Sequence, residues 1–207
     1  MAGGTAPTGA DRRATILEAA ISVFLRYGYR KTSMDDLARA AGISRQGLYL
    51  HFTAKDDLFK QATTWLAQQS LAAMRAALAR EDLPLEERLT GAFAALHTQS
   101  DGSPMSLEHM NEIVATARQL AGPVLEDFDQ VFIEELTRAI ESGGAAVAWR
   151  AAGLSARSLA QQLHAASHGL KHYAKTSADY QAGIRIAVQL VCGSPSVPSP
   201  HPTVRGS

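Results

Sequence analysis

Apolar residues return every three or four positions along almost the whole chain. Nowhere do β-branched or aromatic residues alternate with polar ones over four to eight positions. The first pattern belongs to helices with one face turned inward, and the second would mark half-buried strands. The chain therefore predicts an all-α protein of about nine helices. The first starts near Asp11, carries Ile16, Leu17, Ala20, Val23, Phe24 and Tyr27 on one stripe, and stops at Gly28. A second opens at Ser33, where Ser33 and Asp36 have the spacing of a capping box, and ends at Gly42. Ser44 caps a short third helix reaching about Leu50. A fourth begins near Thr53 to Asp56, with Thr53 as its expected cap, and carries Leu58, Phe59, Ala62, Trp65 and Leu66.

The remaining helices follow the same logic. Pro84 sits where an N1 proline belongs, ahead of Leu85, Leu89, Phe93 and Leu96. Asp101 to Pro104 is a break and restart, followed by Met110, Ile113, Val114 and Ala117. Gly122-Pro123 predicts another restart, with Leu125, Phe128, Phe132, Leu136 and Ile140 running on to Gly143-Gly144. Ser155 opens a helix whose Leu159, Leu163, Ala166, Leu170 and Tyr173 step by 4, 3, 4 and 3, a heptad-like seam. Tyr180, Ile184, Ala187, Val188 and Val191 form the last stripe. Residues 1–10 and the Pro/Ser-rich residues 193–207 read as disordered ends.

Composition narrows the class. The 207 residues are 46% hydrophobic and 19% charged, enough apolar material for one or two globular domains. A single cysteine, Cys192, rules out an internal disulfide framework and a cysteine-rich metal knuckle. No run of 18 apolar residues occurs and the first ten residues lack an apolar core, so a cytoplasmic protein with no membrane span is expected. Net charge is zero, but residues 1–60 hold nine Lys/Arg against six Asp/Glu. That local excess of positive charge coincides with the sharpest motif in the chain.

Residues 33–52 read SMDDLARAAGISRQGLYLHF, two short helices joined by a tight turn at Ala41-Gly42-Ile43-Ser44. Gly42 supplies the left-handed conformation that such a turn needs, and Ile43 plugs the angle between the helices. This is the layout of a helix-turn-helix, whose second helix enters the DNA major groove. With Leu48 turned to the core, Arg45, Gln46, Tyr49 and His51 can face outward. Arginine forks onto guanine and glutamine pairs with adenine, while a tyrosine offers a hydroxyl to phosphate and a ring to a thymine methyl. Gly47 lets backbone approach closely. Ser33, Ser44 and Lys55 stand at helix starts, where free amides favour phosphate.

The same residues carry a resemblance. Ile16-Leu17-Glu18-Ala19-Ala20, Phe24, Tyr27-Gly28, Thr32-Ser33-Met34, Leu37-Ala38, Ala41 to Ser44, Gly47-Leu48-Tyr49, His51-Phe52, Lys55 and Leu58 resemble the N-terminal domain of TetR/AcrR-family transcriptional regulators. The resemblance is dense over residues 11–60 and loose beyond, apart from Glu112 to Gly144, which looks like the family's sixth and seventh helices. One departure is Ala54, where the family usually has a capping serine before the lysine.

The resemblance implies a DNA-binding domain over residues 11–54 and a ligand-binding and dimerisation domain over 55–192. It further implies a homodimer joined by its last two helices as a four-helix bundle, a palindromic operator in double-stranded DNA, and release by a small-molecule effector, most often as a repressor. Candidate pocket residues are Trp65, Gln69, Phe93, His97, Met110, Phe128 and His168, apolar walls with a few polar anchors. No enzyme activity, cofactor or metal is expected.

One cluster stands outside that scheme. His164, His168 and His172 recur every fourth residue and so share one flank of a helix, drifting about 40° per step. Such spacing can chelate a metal. A metal-dependent helical enzyme built on it is the alternative reading, and an adaptor that keeps the fold without binding DNA is another. Dimer-interface or pocket-lining histidines are the plainer account.

Overall fold

The computed structural model describes residues 9–96, 107–174 and 176–193. Among these residues there are nine α-helices and no strand: α1 (Gly9–Tyr27), α2 (Met34–Ala40), α3 (Arg45–Tyr49), α4 (Lys55–Leu78), α5 (Leu85–Ala94), α6 (Leu107–Ser142), α7 (Ala145–Trp149), α8 (Ala156–Tyr173) and α9 (Ser177–Cys192). A turn of 3₁₀ helix, Arg150–Ala152, follows α7. The expected arm at 1–8, the restart at 101–104 and the tail from 194 onward lie outside the described residues.

Caps set the helix boundaries. Ser33 Oγ accepts from the Asp36 amide while the Asp36 carboxylate accepts from the Ser33 amide, completing the capping box that opens α2. Ser44 Oγ accepts from the Gly47 amide at the start of α3, and Ser155 Oγ from the Ser158 amide at the start of α8. A second capping box, Thr176 with Asp179, opens α9; the sequence shows it as plainly as the first. The cap of α4 differs from expectation. The N-cap is Ala54, with no side-chain bond, and the Asp57 carboxylate instead reaches back to the Thr53 amide at 3.0 Å.

The restart expected at Gly122-Pro123 is present: α6 is two helical segments joined across a kink, with a non-helical residue at Ala121 (φ −135°, ψ 26°) directly before Gly122-Pro123. Proline has no amide hydrogen and its ring crowds the carbonyl four residues back, so the helix kinks.

The chain forms two compact units, residues 1–80 with 91–132, and residues 81–90 with 133–207. In the first, α1 packs on α2 and α4, and α2 on α3. Its core holds Ile16, Leu17, Ala20, Phe24, Leu37, Leu48, Phe52, Leu58, Phe59 and Ala62, so α4 belongs to the same core as the three helices before it. Phe24, Tyr29 and Phe59 form an aromatic triangle with centroids 5.0–5.8 Å apart.

In the second unit α8 packs on α9. Ala156, Leu159, Ala160, Leu163 and Ser167 are the buried residues of α8, against Tyr180, Ile184, Val188 and Val191 of α9. The expected seam therefore fades toward its C-terminal end, where Tyr173 is 85% exposed. The buried Ser167 hydroxyl bonds the Tyr180 hydroxyl at 2.8 Å, and Trp149 Nε1 donates to the Val191 carbonyl at 2.8 Å. No helix among the described residues is long and apolar enough to cross a membrane.

Candidate nucleic-acid interface

The turn between α2 and α3 is built by backbone bonds that only a left-handed residue allows. Gly42 has φ +65°. Its amide donates to the Arg39 carbonyl at 3.2 Å, and the next amide, Ile43, donates to the Ala38 carbonyl at 3.0 Å. This pair of bonds is a Schellman motif, and Ile43 packs partly buried against the core as its apolar partner. The chain leaves α2 at a fixed angle, and Ser44 starts α3 two residues after the glycine.

The five-residue α3 is too short to persist alone. It is pinned from below by Leu48, fully buried, and by Phe52 just beyond its end. Pinning that side leaves Ser44, Arg45, Gln46 and Tyr49 exposed, with Gly47 half-buried between them. The Arg45 guanidinium lies 5.7 Å over the Tyr49 ring centroid and 3.2 Å from the Asp35 carboxylate of α2. Both members of that ion pair are more than half exposed, so the pair is weak and the guanidinium can exchange it for another acceptor. The two residues stand ten positions apart on different helices, so local patterning does not announce the pair.

Two further expected residues sit differently. The His51 side chain is half-buried and tilts against Phe52, and its carbonyl accepts from Arg13 of α1 at 3.4 Å. Arg13 also lies 4.7 Å over the Phe52 ring and bonds Gln61, so one arginine ties α1 to the end of α3 and to α4. The Lys55 ammonium turns back onto the loop between α1 and α2. It donates to the carbonyls of Tyr29 and Thr32, each at 3.0 Å, and sits 4.3 Å over the Tyr29 ring. Tyr29 in turn bonds the Asp56 carboxylate; burial and that bond together push its phenol well above the ordinary range. Ser33 remains exposed at the start of α2.

One residue with exposed apolar surface was overlooked. Leu50, directly after α3, is 82% exposed beside Tyr49. Its neighbour Leu48 follows the helical period into the core, and the period alone would have placed Leu50 outside.

The expected pocket residues occupy separate environments. Trp65 packs against the N-terminal core and Gln69, one turn on, is exposed. Phe93 is fully buried edge-on to Phe132 at 5.3 Å, and Phe128 stacks on Phe132 at 5.9 Å. His168 is exposed on α8, its Nε2 3.2 Å from that of His164. His97 and the Met110 side chain lie outside the described residues. An open cleft of about 240 Å³ runs along Arg30, Glu112, Ala115, Thr116 and Gln119. At its edge the Glu112 carboxylate accepts from the Arg30 amide at 2.6 Å.

A short exposed polar helix held across a Schellman turn, above a buried leucine, has the layout of a helix-turn-helix. Residues 16–62 match the family model of bacterial regulatory proteins, tetR family. The chain is 25% identical over 133 residues to the HTH-type transcriptional regulator YhgD of Bacillus subtilis, covering 64% of this chain and 69% of that one. It is 35% identical over 86 residues to the HTH-type transcriptional repressor ComR of Escherichia coli, covering 42% of this chain and 40% of that one. A TetR transcriptional regulator from Legionella pneumophila has the same fold, with a TM-score of 0.66 at 20% identity, over 92% of this chain and 98% of that one. The family match is confined to residues 16–62, and the likeness to the Legionella pneumophila regulator is one of fold over most of the chain.

Proposed function

We propose that the chain is a ligand-responsive repressor that binds a palindromic operator as a homodimer. The observation that carries the DNA reading is the exposed face of α3, Arg45, Gln46 and Tyr49, opposite the fully buried Leu48. Arg45 reads a guanine edge and Gln46 an adenine, while the Tyr49 ring and Leu50 cover thymine methyls or sugar. Ser33, Ser44, Gly47 and His51 lie close to the backbone phosphates. Lys55 acts through the loop it holds.

One further feature supports the dimer part of the reading. Ile186 and Leu190, one turn apart on α9, are 59% and 67% exposed, an apolar face suited to a second copy of the same helix. Two recognition helices then meet successive major grooves about 34–36 Å apart, and an effector acts by favouring a spacing that does not fit. Trp65, Gln69, Phe93 and Phe128, all in the first unit, are the residues offered to that effector. The division of labour places residues 11–54 on DNA and 55–192 on effector and partner, in a cytoplasmic protein without enzyme activity.

Selection of genomic fragments bound by the purified chain tests the reading. Enrichment of a two-fold symmetric sequence, with affinity falling steeply as salt rises, is expected. Enrichment of nothing, or a monomer by sedimentation, refutes it.

A further inference from the structure

We propose that His164 and His168 on α8 form a two-nitrogen clamp for a divalent transition-metal ion. The two residues are one helical turn apart, so their side chains rise from the same face. Their rings meet with centroids 4.5 Å apart and planes tilted by 54°, and it is the two outer nitrogens, Nε2 and Nε2, that approach, at 3.2 Å. That separation is the bite of a metal ion. Imidazole nitrogens bind zinc at about 2.0–2.1 Å, and two of them 3.2 Å apart then subtend about 100° at the ion. The angle lies between the square-planar and tetrahedral values.

The donor set selects the ion. Neutral imidazole suits zinc, nickel and copper, whereas magnesium and calcium demand oxygen. His168 is exposed and His164 half-buried, so the pair is reachable from solvent and the ion keeps open positions for water or another ligand. His172 continues the series one further turn along, having drifted about 80° around the helix from His164, and it is the built-in control. An ion held by both rings also fixes one turn of α8, so the folded chain gains stability from metal that the unfolded chain does not bind in this geometry.

This inference stands apart from the DNA reading and is tested without DNA. The full chain, free of any affinity tag, is titrated with Zn²⁺ and with Ni²⁺ by calorimetry, and its melting temperature is followed. One ion per chain and a rise in melting temperature are expected. His164→Gln and His168→Gln each lower the affinity at least tenfold and abolish the rise; His172→Gln leaves both unchanged. Glutamine is a good helix former, and unchanged far-ultraviolet dichroism shows that α8 is intact. No ion bound by the wild type at millimolar metal overturns the proposal. So does binding that survives both single variants, or binding that His172→Gln weakens as much as they do.

Discussion

Gly42→Ala isolates the energetic worth of a single backbone conformation. A Cβ built at Gly42 meets nothing within 4 Å, so the substitution introduces no clash. What remains is the left-handed φ of +65°. An L-residue held there is penalised by about 1–2 kcal/mol. Alanine also narrows the unfolded ensemble, which returns about 0.4–1 kcal/mol. The balance is a loss of about 1 kcal/mol. With a urea m-value of about 2 kcal/mol/M, the midpoint drops by about 0.5 M. Asparagine tolerates the left-handed region better, so Gly42→Asn falls between alanine and wild type. Gly169 supplies the opposite case. It lies inside α8, also with nothing within 4 Å and without a positive φ. Gly169→Ala therefore gains about 0.5–1 kcal/mol from helix propensity. The assay is urea unfolding followed by dichroism at 222 nm for all three variants at one protein concentration. If Gly42→Ala and Gly169→Ala move the midpoint the same way, or if asparagine is no better than alanine at 42, the argument from φ fails.

Other outcomes follow from the same geometry. Arg45→Ala should weaken specific DNA binding by about 1–3 kcal/mol in a fluorescence anisotropy titration. The melting temperature should hardly change, because the exposed pair with Asp35 is worth at most about 1 kcal/mol. Lys55→Met should do the reverse. It breaks two charge-assisted bonds to loop carbonyls, lowering stability by about 1–3 kcal/mol, yet leaves the slope of affinity against salt unchanged; a slope reduced by one unit would make Lys55 a phosphate contact instead. Acid should loosen the first unit through two carboxylates. Asp36, bonded by Ser33, and Asp57, bonded by Gln61 and Thr53, both titrate below the ordinary range. Each therefore stabilises the fold above its unfolded-state value, and that contribution fades as pH falls from near 4 through the lowered native value. The double variant Asp36→Asn/Asp57→Asn should unfold with a flatter dependence on pH below about 4 in the same urea assay.

Much of this molecule was legible because helix ends are written locally. Ser33, Ser44 and Ser155 cap the helices their positions announce, and Gly28 and Gly42 end helices with positive φ. The exposed face of α3 was equally visible, since one buried leucine fixes the orientation of five residues. What escaped the sequence is set by partners distant along the chain. Whether Lys55 points outward or into the loop depends on the carbonyls of Tyr29 and Thr32, more than twenty residues earlier. Which residues of α8 are buried depends on Tyr180, Ile184 and Val188 of α9, so a heptad count along α8 alone drifts off the true face by Tyr173. Periodicity also marks Phe93 and Phe128 as inward without saying whether they meet another ring or a ligand; in the structure both meet Phe132.

The bond from the Glu112 carboxylate to the Arg30 amide joins the early part of α6 to the turn feeding α2. A carboxylate gripping main chain pulls on the peptide itself, where a side-chain contact could slip to a new rotamer. A shift of that stretch of α6 would therefore reach the loop before α2 directly, in addition to the shared core that already joins α1 to α4.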